Sequence, residues 1–478
     1  MSKQELELPK GWAKTKLDDF TILIQGQSPP GSTYNDKGDG LPFFQGKAEF
    51  NELYPTIKKW CTQPKKIAEK DDILLCVRAG TGAVNFNPEK SCIGRGIAAI
   101  RTLCDVPPFY IINYLKIITE EFRGQGTTIT GITSSDLKNL QIPIAPLKEQ
   151  KRITSKIEEL FSKIDSITQS LEHTTLQLEQ YRNSLLKSVF EGKLTEDWRK
   201  KENPSLDTLL EKIQSNRKNQ ESKLQKLKPF DDDAPFSIPS VWAWTRVGLI
   251  SNEIQYGTSE KASTTKSKLP VLRMGNIQDG VLNFEKLKYY PNKWKSRKQY
   301  LLKDGDVLFN RTNSAELVGK SAIYREFHPI AVFAGYLIRV KIFDEIYSPL
   351  LLTWYLNSIF GKLYVKSVVS QQVGQANVNG TKLAMMHLPL MSNEEQKEII
   401  NILEQGFSLI QNTHQTVNST LEFLQTMKMS ILKQAFEGKL VPQDSDDESA
   451  EILLQKIKQE KQQLIQKQKT KRRSKNVK

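Results

Sequence analysis

Two segments of the chain carry apolar residues at alternating intervals of three and four positions, which is the pattern of a helix that buries one stripe along its length. Pro143 and Pro146 precede the first segment, and Gly192 and Gly438 follow the two segments as suitable helix ends. We predict that the first helix covers 149–191 and is roughly 65 Å long at about 1.5 Å per residue. The stripe residues are Ile157, Leu160, Ile164, Ile167, Leu171, Thr174, Leu178, Tyr181 and Leu185 in the first segment and Leu403, Ile410, Val417, Thr420, Leu424, Met427 and Ile431 in the second.

The two helical segments are copies of one sequence. Residues 143–153 return 246 positions later, at 389–399, and the match continues without a gap to Ser184 and Ser430. Both copies close with Phe-Glu-Gly-Lys-Leu, at 190–194 and 436–440. The segments that precede the copies match far more loosely, so the chain alternates variable and fixed parts. The predicted variable domains cover 1–145 and 229–391, and the predicted fixed helical parts cover 146–228 and 392–478.

The variable domains contain short apolar runs, rich in β-branched and aromatic residues, separated by Gly, Asn, Asp and Pro. Examples lie at 73–77, 97–100 and 336–340, and a helical stretch lies near the end of each domain, at 109–122 and 349–364. We therefore predict an α/β protein with two mixed α/β domains, separated by two long helices that pack as an antiparallel coiled coil with pseudo-two-fold symmetry. In the alternative, each long helix packs only on its own domain.

The charge balance favours a polyanionic partner. The chain has 69 Lys and Arg against 54 Asp and Glu, a net charge of +15, and Lys and Arg that neutralise phosphates release counterions from nucleic acid. Residues 467–478 carry seven basic and no acidic side chains, which suits either non-specific phosphate contact or a solvated end. No apolar run is long enough to span a bilayer, and the first residues lack an apolar signal region, so we expect a cytoplasmic protein.

Motifs for catalysis and metal binding are incomplete. Residues 318–321 resemble the end of a phosphate-binding loop, but Ser314 stands where the leading glycine belongs. Residues 105–109 resemble the Asp-Pro-Pro-aromatic element of amino-methyltransferases, but Val106 interrupts it. We predict that the chain is not itself an enzyme. The cysteines, which lack the spacing of a zinc site, are Cys61, Cys76, Cys92 and Cys104.

Four elements carry a resemblance to a known family: the Pro-x-x-Pro-Leu-x-Glu-Gln start at 143–150 with its weaker copy at 389–396, the Phe-Glu-Gly-Lys-Leu closes, and the segments 305–320 and 374–383. Over essentially its full length the chain resembles the DNA-specificity subunits of type I restriction-modification enzymes. Two departures are present. Residues 391–393 replace the expected prolines, and the first domain lacks a clear counterpart of Arg311-Thr312-Asn313.

The resemblance implies two target-recognition domains held apart by an antiparallel helical pair. Each domain would recognise one half of a bipartite, asymmetric double-stranded DNA site. Two methyltransferase subunits that use S-adenosylmethionine would dock along the helices. The resemblance permits, without requiring, two restriction subunits that hydrolyse ATP with Mg²⁺. It implies no cofactor in this chain.

Candidate DNA contacts are Arg, Lys, Asn and Gln on loops, because these side chains form paired hydrogen bonds with guanine or adenine. In the first domain they are Gln25, Gln27, Gln45, Lys47, Arg78, Arg95, Arg123 and Gln125, and in the second they are Arg273, Asn276, Arg311, Asn313, Gln372, Gln375 and Asn377.

Three alternatives remain open at the level of sequence. One is a specificity subunit of a related restriction system, whose partner carries both methylase and nuclease. Another is a coiled-coil DNA-binding scaffold with no enzyme partner. A third is a methyltransferase, which the lack of a glycine-rich cofactor loop opposes.

Overall fold

A computed structural model describes residues 8–78, 82–124, 131–219, 234–266, 269–278, 280–290, 295–314, 317–372 and 375–475. The chain divides into two compact units. Unit 1 comprises residues 1–172 and 418–478, and unit 2 comprises residues 173–417. The division falls inside each of two 44-residue helices, α4 (Leu147–Phe190) and α11 (Asn393–Phe436). These are the two long helices that the repeat predicts. No helix among the described residues is both long and apolar enough to cross a membrane.

Unit 1 contains a mixed α/β domain together with parts of both long helices. Its strands form a four-stranded sheet, a five-stranded sheet and a pair. Its further helices are α1 (Leu17–Phe20), α2 (Pro108–Gly124), α3 (Ser134–Asn139) and α12 (Ala450–Lys475). Its strands are β1 (Ala13–Lys16), β2 (Ile22–Gln25), β3 (Tyr34–Asn35), β4 (Leu41–Phe44), β5 (Trp60–Cys61), β6 (Ile67–Ala68), β7 (Ile73–Cys76), β8 (Val84–Phe86), β9 (Ser91–Ile93), β10 (Ile97–Arg101) and β11 (Gln141–Ile144).

The four-stranded sheet of unit 1 has the order β2-β10-β7-β8, and every neighbouring pair is antiparallel. Alternate residues of β10 face two different cores. Ala98 and Ile100 pack in the core that includes α2 and the long helices, whereas Ile97 and Ala99 pack against the second sheet. An apolar run that is buried on both faces therefore forms the centre of the sheet. In the second sheet, β3-β5-β4-β9-β6, the pair β4 and β9 is parallel.

Unit 2 contains the second mixed α/β domain and the remaining parts of both long helices. Its further helices are α5 (Glu196–Glu202), α6 (Asp207–Asn219), α7 (Val247–Ile250), α8 (Pro349–Asn357), α9 (Ile359–Val368) and α10 (Gly380–Ala384). Its strands are β12 (Ala243–Arg246), β13 (Ser251–Tyr256), β14 (Leu269–Leu272), β15 (Ile277–Gln278), β16 (Val281–Leu282), β17 (Lys288–Tyr290), β18 (Val307–Asn310), β19 (Thr312–Asn313), β20 (Ser321–Ile323), β21 (Val332–Phe333), β22 (Leu337–Ile342), β23 (Ser370–Gln372), β24 (Gln375–Asn377) and β25 (His387–Leu390).

The sheets of unit 2 repeat the topology of unit 1. The order β13-β22-β18-β20 corresponds to β2-β10-β7-β8, and the parallel pair β14 and β21 corresponds to β4 and β9. The prediction of mixed α/β domains is confirmed, and β7, β10 and β22 lie where the apolar runs predict strands. The helix predicted over 349–364 is instead two helices, because Ser358 is extended and its hydroxyl accepts a hydrogen bond from Gly361 N at the start of α9.

The two long helices run antiparallel within each unit. In unit 1, Arg152 near the start of α4 pairs with Asp447 beyond the end of α11, and Asp165 pairs with Lys428. In unit 2, the Arg182 guanidinium lies 5.2 Å from the Phe407 ring centre. The helices also share their apolar cores with the α/β domains, so helix pairing and domain packing both occur.

The buried seam of α11 repeats every seven residues, as predicted. Its members are all less than a tenth exposed, and they are Leu403, Ile410, Val417, Leu424 and Ile431. In α4 the prediction was wrong at two positions, since Ile167 is 47% exposed and Tyr181 is 48% exposed. Leu160 and Thr174 of the same predicted stripe are half-buried. Gly192 and Gly438 have φ angles of 74° and 68°, as left-handed helix ends require.

A buried Trp–Glu hydrogen bond joins each domain to the first turn of a long helix. Trp12 Nε1 donates to Glu149 Oε2 at 3.1 Å in unit 1, and Trp242 Nε1 donates to Glu395 Oε2 at 2.7 Å in unit 2. Each tryptophan lies just before a short strand that pairs with the strand leading into the long helix, β1 with β11 and β12 with β25. The bond therefore fixes the point at which sheet and helix meet.

Truncation of the seam should destabilise unit 2. We expect Leu403→Ala to lower the free energy of unfolding by about 2–5 kcal/mol, because it opens a cavity at a fully buried site. Leu409→Ala is the matched control on the same helix, since Leu409 is 61% exposed, and it should change stability by less than about 0.5 kcal/mol. Denaturant unfolding measures the free energy of unfolding of both variants. An equal loss in the two would contradict the assignment of Leu403 to a buried seam.

Candidate nucleic-acid interface

Four chain segments of unit 1 meet at one edge of its four-stranded sheet. Gly26 N donates to Ile97 O at 3.0 Å, and Val77 N donates to Gly96 O at 2.9 Å. These bonds place the end of β2, the end of β7 and the loop before β10 side by side. The turn after β4 joins them, because Gly94 N donates to Phe44 O at 2.8 Å. We call this set of segments, residues 25–27, 45–47, 77–78 and 94–96, the unit 1 edge.

The unit 1 edge brings together six of the eight candidates in the first domain. Five of the side chains are exposed and that of Gln45 is half-buried. Of the other two, Gln125 lies outside the described residues, and Arg123 lies in α2 with a side chain that the structure does not describe. The six are Gln25, Gln27, Gln45, Lys47, Arg78 and Arg95.

Backbone hydrogen bonds and contacts hold this edge in shape. The Glu49 carboxylate accepts bonds from Gln45 N at 3.3 Å and from Gly46 N at 2.9 Å, which closes the turn that carries Lys47. A Cβ atom on Gly96 would lie 2.3 Å from the Gln45 carbonyl oxygen. The close approach of these two segments therefore requires glycine at position 96.

Unit 2 contains the same backbone arrangement. Gly257 N donates to Leu337 O at 3.1 Å, as Gly26 N donates to Ile97 O in unit 1. Arg311 N donates to Tyr336 O at 3.1 Å, as Val77 N donates to Gly96 O. We call residues 256–258, 273–275, 311–312, 334–336 and 377 the unit 2 edge.

These bonds identify the counterpart that sequence comparison did not find. Arg311 corresponds in space to Val77, and Thr312 corresponds to Arg78. A further pair supports the match, since Val378 N donates to Arg311 O at 2.9 Å and Ile132 N donates to Val77 O at 3.0 Å. The first domain thus carries its arginine one position later along the same segment.

The side chains on the two matched frames differ. Tyr256, Arg311 and Tyr336 of unit 2 stand where unit 1 has Gln25, Val77 and Gly96, as the shared strand registers show. Both tyrosines are about half-exposed. Sequence reasoning missed them because it considered only side chains that form paired hydrogen bonds. The sequence offered one signal, because Tyr336 begins the apolar run at 336–340 that predicts a strand.

Arg311 is held rigidly at the unit 2 edge. Its guanidinium carbon lies 5.0 Å from the Tyr256 ring centre, and Nη1 donates to Gly335 O at 3.2 Å. Arg311 and Arg273 line a cavity of 790 Å³, together with Lys261 and Lys288. Glu260 is the acidic residue among the lining side chains. The excess of cations suits a ligand with negative charge or with base acceptor atoms.

The remaining candidates of the second domain have different surroundings. Asn276 is 4% exposed, and its amide bonds the backbone of Arg273 and Asn283, so it shapes the loop instead of facing solvent. Asn377 is half-buried and accepts a hydrogen bond from Thr312 Oγ1 at 3.3 Å. The backbones of Asn313, Gln372 and Gln375 lie in β19, β23 and β24, but their side chains are not described.

The described residues contain no group of three or more His, Cys, Asp or Glu side chains that could hold a metal ion. Cys61, Cys76 and Cys92 are buried, and none of them forms a disulfide with a described residue. Burial raises the pKa of the Cys92 thiol to about 12, so the thiol is protonated at neutral pH and a poor metal ligand.

A protein-family model described as "Type I restriction modification DNA specificity domain" matches residues 9–175 and 253–422, one match on each half of the repeat. The chain belongs to this family. Specificity subunits are the non-catalytic components of type I restriction-modification systems, so this chain contributes DNA recognition and not the chemical step.

Individual relatives match over nearly the whole chain. The StySPI specificity subunit of Salmonella potsdam is 25% identical over 492 residues, which covers 95% of this chain and 96% of that protein. The EcoKI specificity subunit of Escherichia coli (strain K12) is 25% identical over 490 residues, with 95% and 96% covered. The MjaX specificity subunit of Methanocaldococcus jannaschii is 37% identical over 193 residues, but that match covers 39% of this chain and 44% of that protein.

Solved structures share the fold. A chain from work on the "complex assembly and conformational transition" of the type I R-M system superposes with a TM-score of 0.66 at 18% identity, covering 91% of this chain and 100% of that chain. The HsdS subunit from Thermoanaerobacter tengcongensis gives a TM-score of 0.52 at 18% identity, with 92% and 100% covered.

A methyl group on Gly96 should deform the unit 1 edge. We expect Gly96→Ala to weaken DNA binding by about 1–3 kcal/mol, because either the 94–96 loop or the turn at Gln45 must move. Gly46→Ala is the control in the neighbouring turn, since a Cβ there would meet nothing within 4 Å. Titration of a DNA duplex into each variant measures the effect, and an equal affinity for both would show that the edge tolerates the shift.

Proposed function

We propose that the unit 1 edge and the unit 2 edge each contact the bases of one half of a bipartite, asymmetric DNA site. The observation that carries this proposal is the matched backbone frame with unlike side chains. The shared hydrogen bonds at Gly26 and Gly257 and at Val77 and Arg311 hold the loops in one geometry. The different side chains on that geometry would select different base pairs, so one fold would recognise two unlike half-sites.

The proposed contacts in unit 1 are the six candidates gathered at its edge. In unit 2 we propose Arg273, Arg311 and Asn377. We add Tyr256, whose ring lies against the Arg311 guanidinium, and Tyr336, whose backbone oxygen accepts a hydrogen bond from Arg311 N. Asn276 is left out because its amide is buried and bonded to the backbone. Arg123, Gln125, Asn313, Gln372 and Gln375 remain candidates from sequence.

The proposed partners follow from the family. Relatives such as the EcoKI specificity subunit are named as parts of type I restriction enzymes. We propose that this chain binds double-stranded DNA in the cytoplasm and positions two methyltransferase subunits, with two restriction subunits joining in a full restriction complex. S-adenosylmethionine, ATP and Mg²⁺ would then be bound by those subunits. The target adenine must leave the base stack for methylation, and the docked methyltransferase would perform that step.

We also propose that the long helices set the distance between the two half-sites. Each helix begins in one unit and ends in the other. Buried seam residues are present on both sides of this division in α11. Two half-site contacts on one element bind cooperatively, because the second contact is intramolecular.

Loss of an edge arginine should affect one half-site. We expect Arg311→Ala to weaken binding by about 1–3 kcal/mol and to relax base preference in one half of the site, and Arg78→Ala to do the same in the other half. Arg325→Ala is the control. Arg325 follows β20, whose end lies beside the start of β18, whereas Arg311 follows the end of β18. Selection from a randomised DNA pool would measure this, and a uniform loss on all sequences would remove the residue from the proposed contacts.

Lengthening both helices should lengthen the tolerated spacer. An insertion of one heptad at 172/173 in α4, matched by one at 417/418 in α11, adds about 10 Å while keeping the seam in register. This corresponds to about three base pairs of B-DNA. Mapping of methylated adenines should show half-sites farther apart by that amount. An unchanged spacer would refute the role of the helices.

A further inference from the structure

Unit 1 contains a cleft of 1090 Å³ between α2 and the two long helices. Part of its wall is apolar, from Leu53, Phe109, Phe161 and Met429. Asn113 and Lys116 of α2 also line it. We call this space the α2 cleft. None of its residues belongs to the unit 1 edge.

Unit 2 fills the equivalent space with an aromatic side chain. Helix α8 starts at Pro349 as α2 starts at Pro108, so Trp354 occupies the position of Asn113. The repeat likewise matches Phe407 with Phe161. The Trp354 ring packs edge-on against Phe407 at a centroid distance of 5.3 Å. Asparagine is too short to make this contact, so the space that Trp354 occupies in unit 2 stays open in unit 1.

The surrounding arrangement is otherwise retained. Arg182 lies 5.2 Å from the Phe407 ring centre, and Lys428 lies 5.4 Å from the Phe161 ring centre at the matching place in the repeat. The difference between the units is therefore concentrated on α2. It is a local change on a conserved frame, and not a general loosening of the packing.

Two polar side-chain groups on α2 have no hydrogen-bond partner in the part of the chain that the structure describes. Asn113 is 1% exposed, and its Nδ2 donates no hydrogen bond to a described residue. No hydrogen bond or ion pair joins the Lys116 ammonium group to another described residue. Burial and the neighbouring charge of Lys428 lower the pKa of Lys116, while the charges of Glu52 and Asp165 act in the opposite direction. In unit 2, by contrast, the position of Lys116 is occupied by Asn357. The Asn357 side chain donates hydrogen bonds to Ser321 O and Thr353 O, both at 2.8 Å. Buried donors without acceptors cost free energy, so the α2 cleft favours a ligand that supplies acceptors.

The charges around the cleft narrow the choice of ligand. Asp165 already pairs with Lys428, while Glu52 and Glu158 are exposed residues of the lining. The lining contains three carboxylates and two lysines, so a phosphodiester backbone, with a negative charge at every nucleotide, would be repelled. A single negative charge beside Lys116 is the most that this lining accommodates. The cleft volume of 1090 Å³ exceeds the range of about 300–1,000 Å³ that is usual for a small-molecule site, and the apolar wall suits protein side chains. A protein segment with one carboxylate among apolar residues satisfies each of these conditions.

We propose that the α2 cleft receives a carboxylate side chain, flanked by apolar residues, from the methyltransferase subunit that binds unit 1. The carboxylate would pair with Lys116 and accept a hydrogen bond from Asn113, and the apolar residues would lie against Phe161 and Met429. This inference rests on the proposed function, because it takes the methyltransferase as the partner.

The first experiment titrates the full chain with the methyltransferase subunit of its own system. Lys116→Gln removes the cation, and Asn113→Trp fills the cleft as Trp354 does in unit 2. Each should weaken binding at least about tenfold, the scale seen when one partner of a buried charge pair is removed. Lys163→Gln is the control, since it removes an exposed charge from α4 outside the cleft, and its affinity should match wild type. Thermal melting of each variant confirms that it is folded.

A second measurement follows Lys116 directly. The lysines are labelled by reductive ¹³C-methylation, and the Lys116 signal, assigned with Lys116→Gln, is titrated with pH in the free chain and in the complex. A carboxylate in the cleft should raise the pKa of Lys116 on binding, which a purely structural role would not do.

The outcomes separate the inference from the proposed function. If wild type binds the methyltransferase and Lys116→Gln binds equally well with no change in the Lys116 titration, the cleft proposal is overturned while the proposed function stands. If wild type does not bind the methyltransferase at all, both are overturned.

Discussion

The structure of each unit depends on a carboxylate buried in the first turn of a long helix. Glu149 and Glu395 are at most 1% exposed, and each accepts a hydrogen bond from a tryptophan indole of its α/β domain. Burial of a carboxylate is costly unless hydrogen bonds compensate it, so the bond from the indole holds helix and domain in one position relative to each other. The start of a helix also favours negative charge. Every loop at the edges is carried by sheets whose position against the helices this bond fixes.

The two units neutralise this carboxylate differently. In unit 2, Arg199 and the Thr195 hydroxyl both bond Glu395 Oε1. In unit 1, Glu149 Oε1 has no hydrogen-bond partner among the described residues, and Arg152 pairs with Asp447 instead. Burial accordingly raises the pKa of Glu149. The duplication has thus kept the carboxylate while its surroundings diverged, as they also did at the α2 cleft and at the two edges.

Close backbone approach explains how the edges tolerate this divergence. Cβ atoms on Gly26 and Gly257 would lie 2.1 Å and 2.2 Å from the facing carbonyl oxygens of Gly94 and Ala334, so the loops touch through their backbones. The side chains on the outer surface then carry little of the fold. Gln25 and Tyr256 can occupy equivalent positions because the backbone hydrogen bonds, and not the side chains, hold the loops. A scaffold built in this way can change the side chains at its edges without changing its structure.

The sequence by itself determined the two long helices, their glycine ends, the central strands and the family, because these depend on periodicity and repetition within short stretches. It also named six residues that meet at the unit 1 edge, since loop arginines, lysines and glutamines are a compositional signal. Only the tertiary structure showed that these six lie together, because they come from four segments joined by backbone hydrogen bonds across the sheet. Only the tertiary structure showed that Val77 and Arg78 correspond to Arg311 and Thr312. It also showed that Asn276 is buried and that Ile167 is exposed. Contacts between distant segments decide burial and neighbourhood, and a local pattern does not contain them.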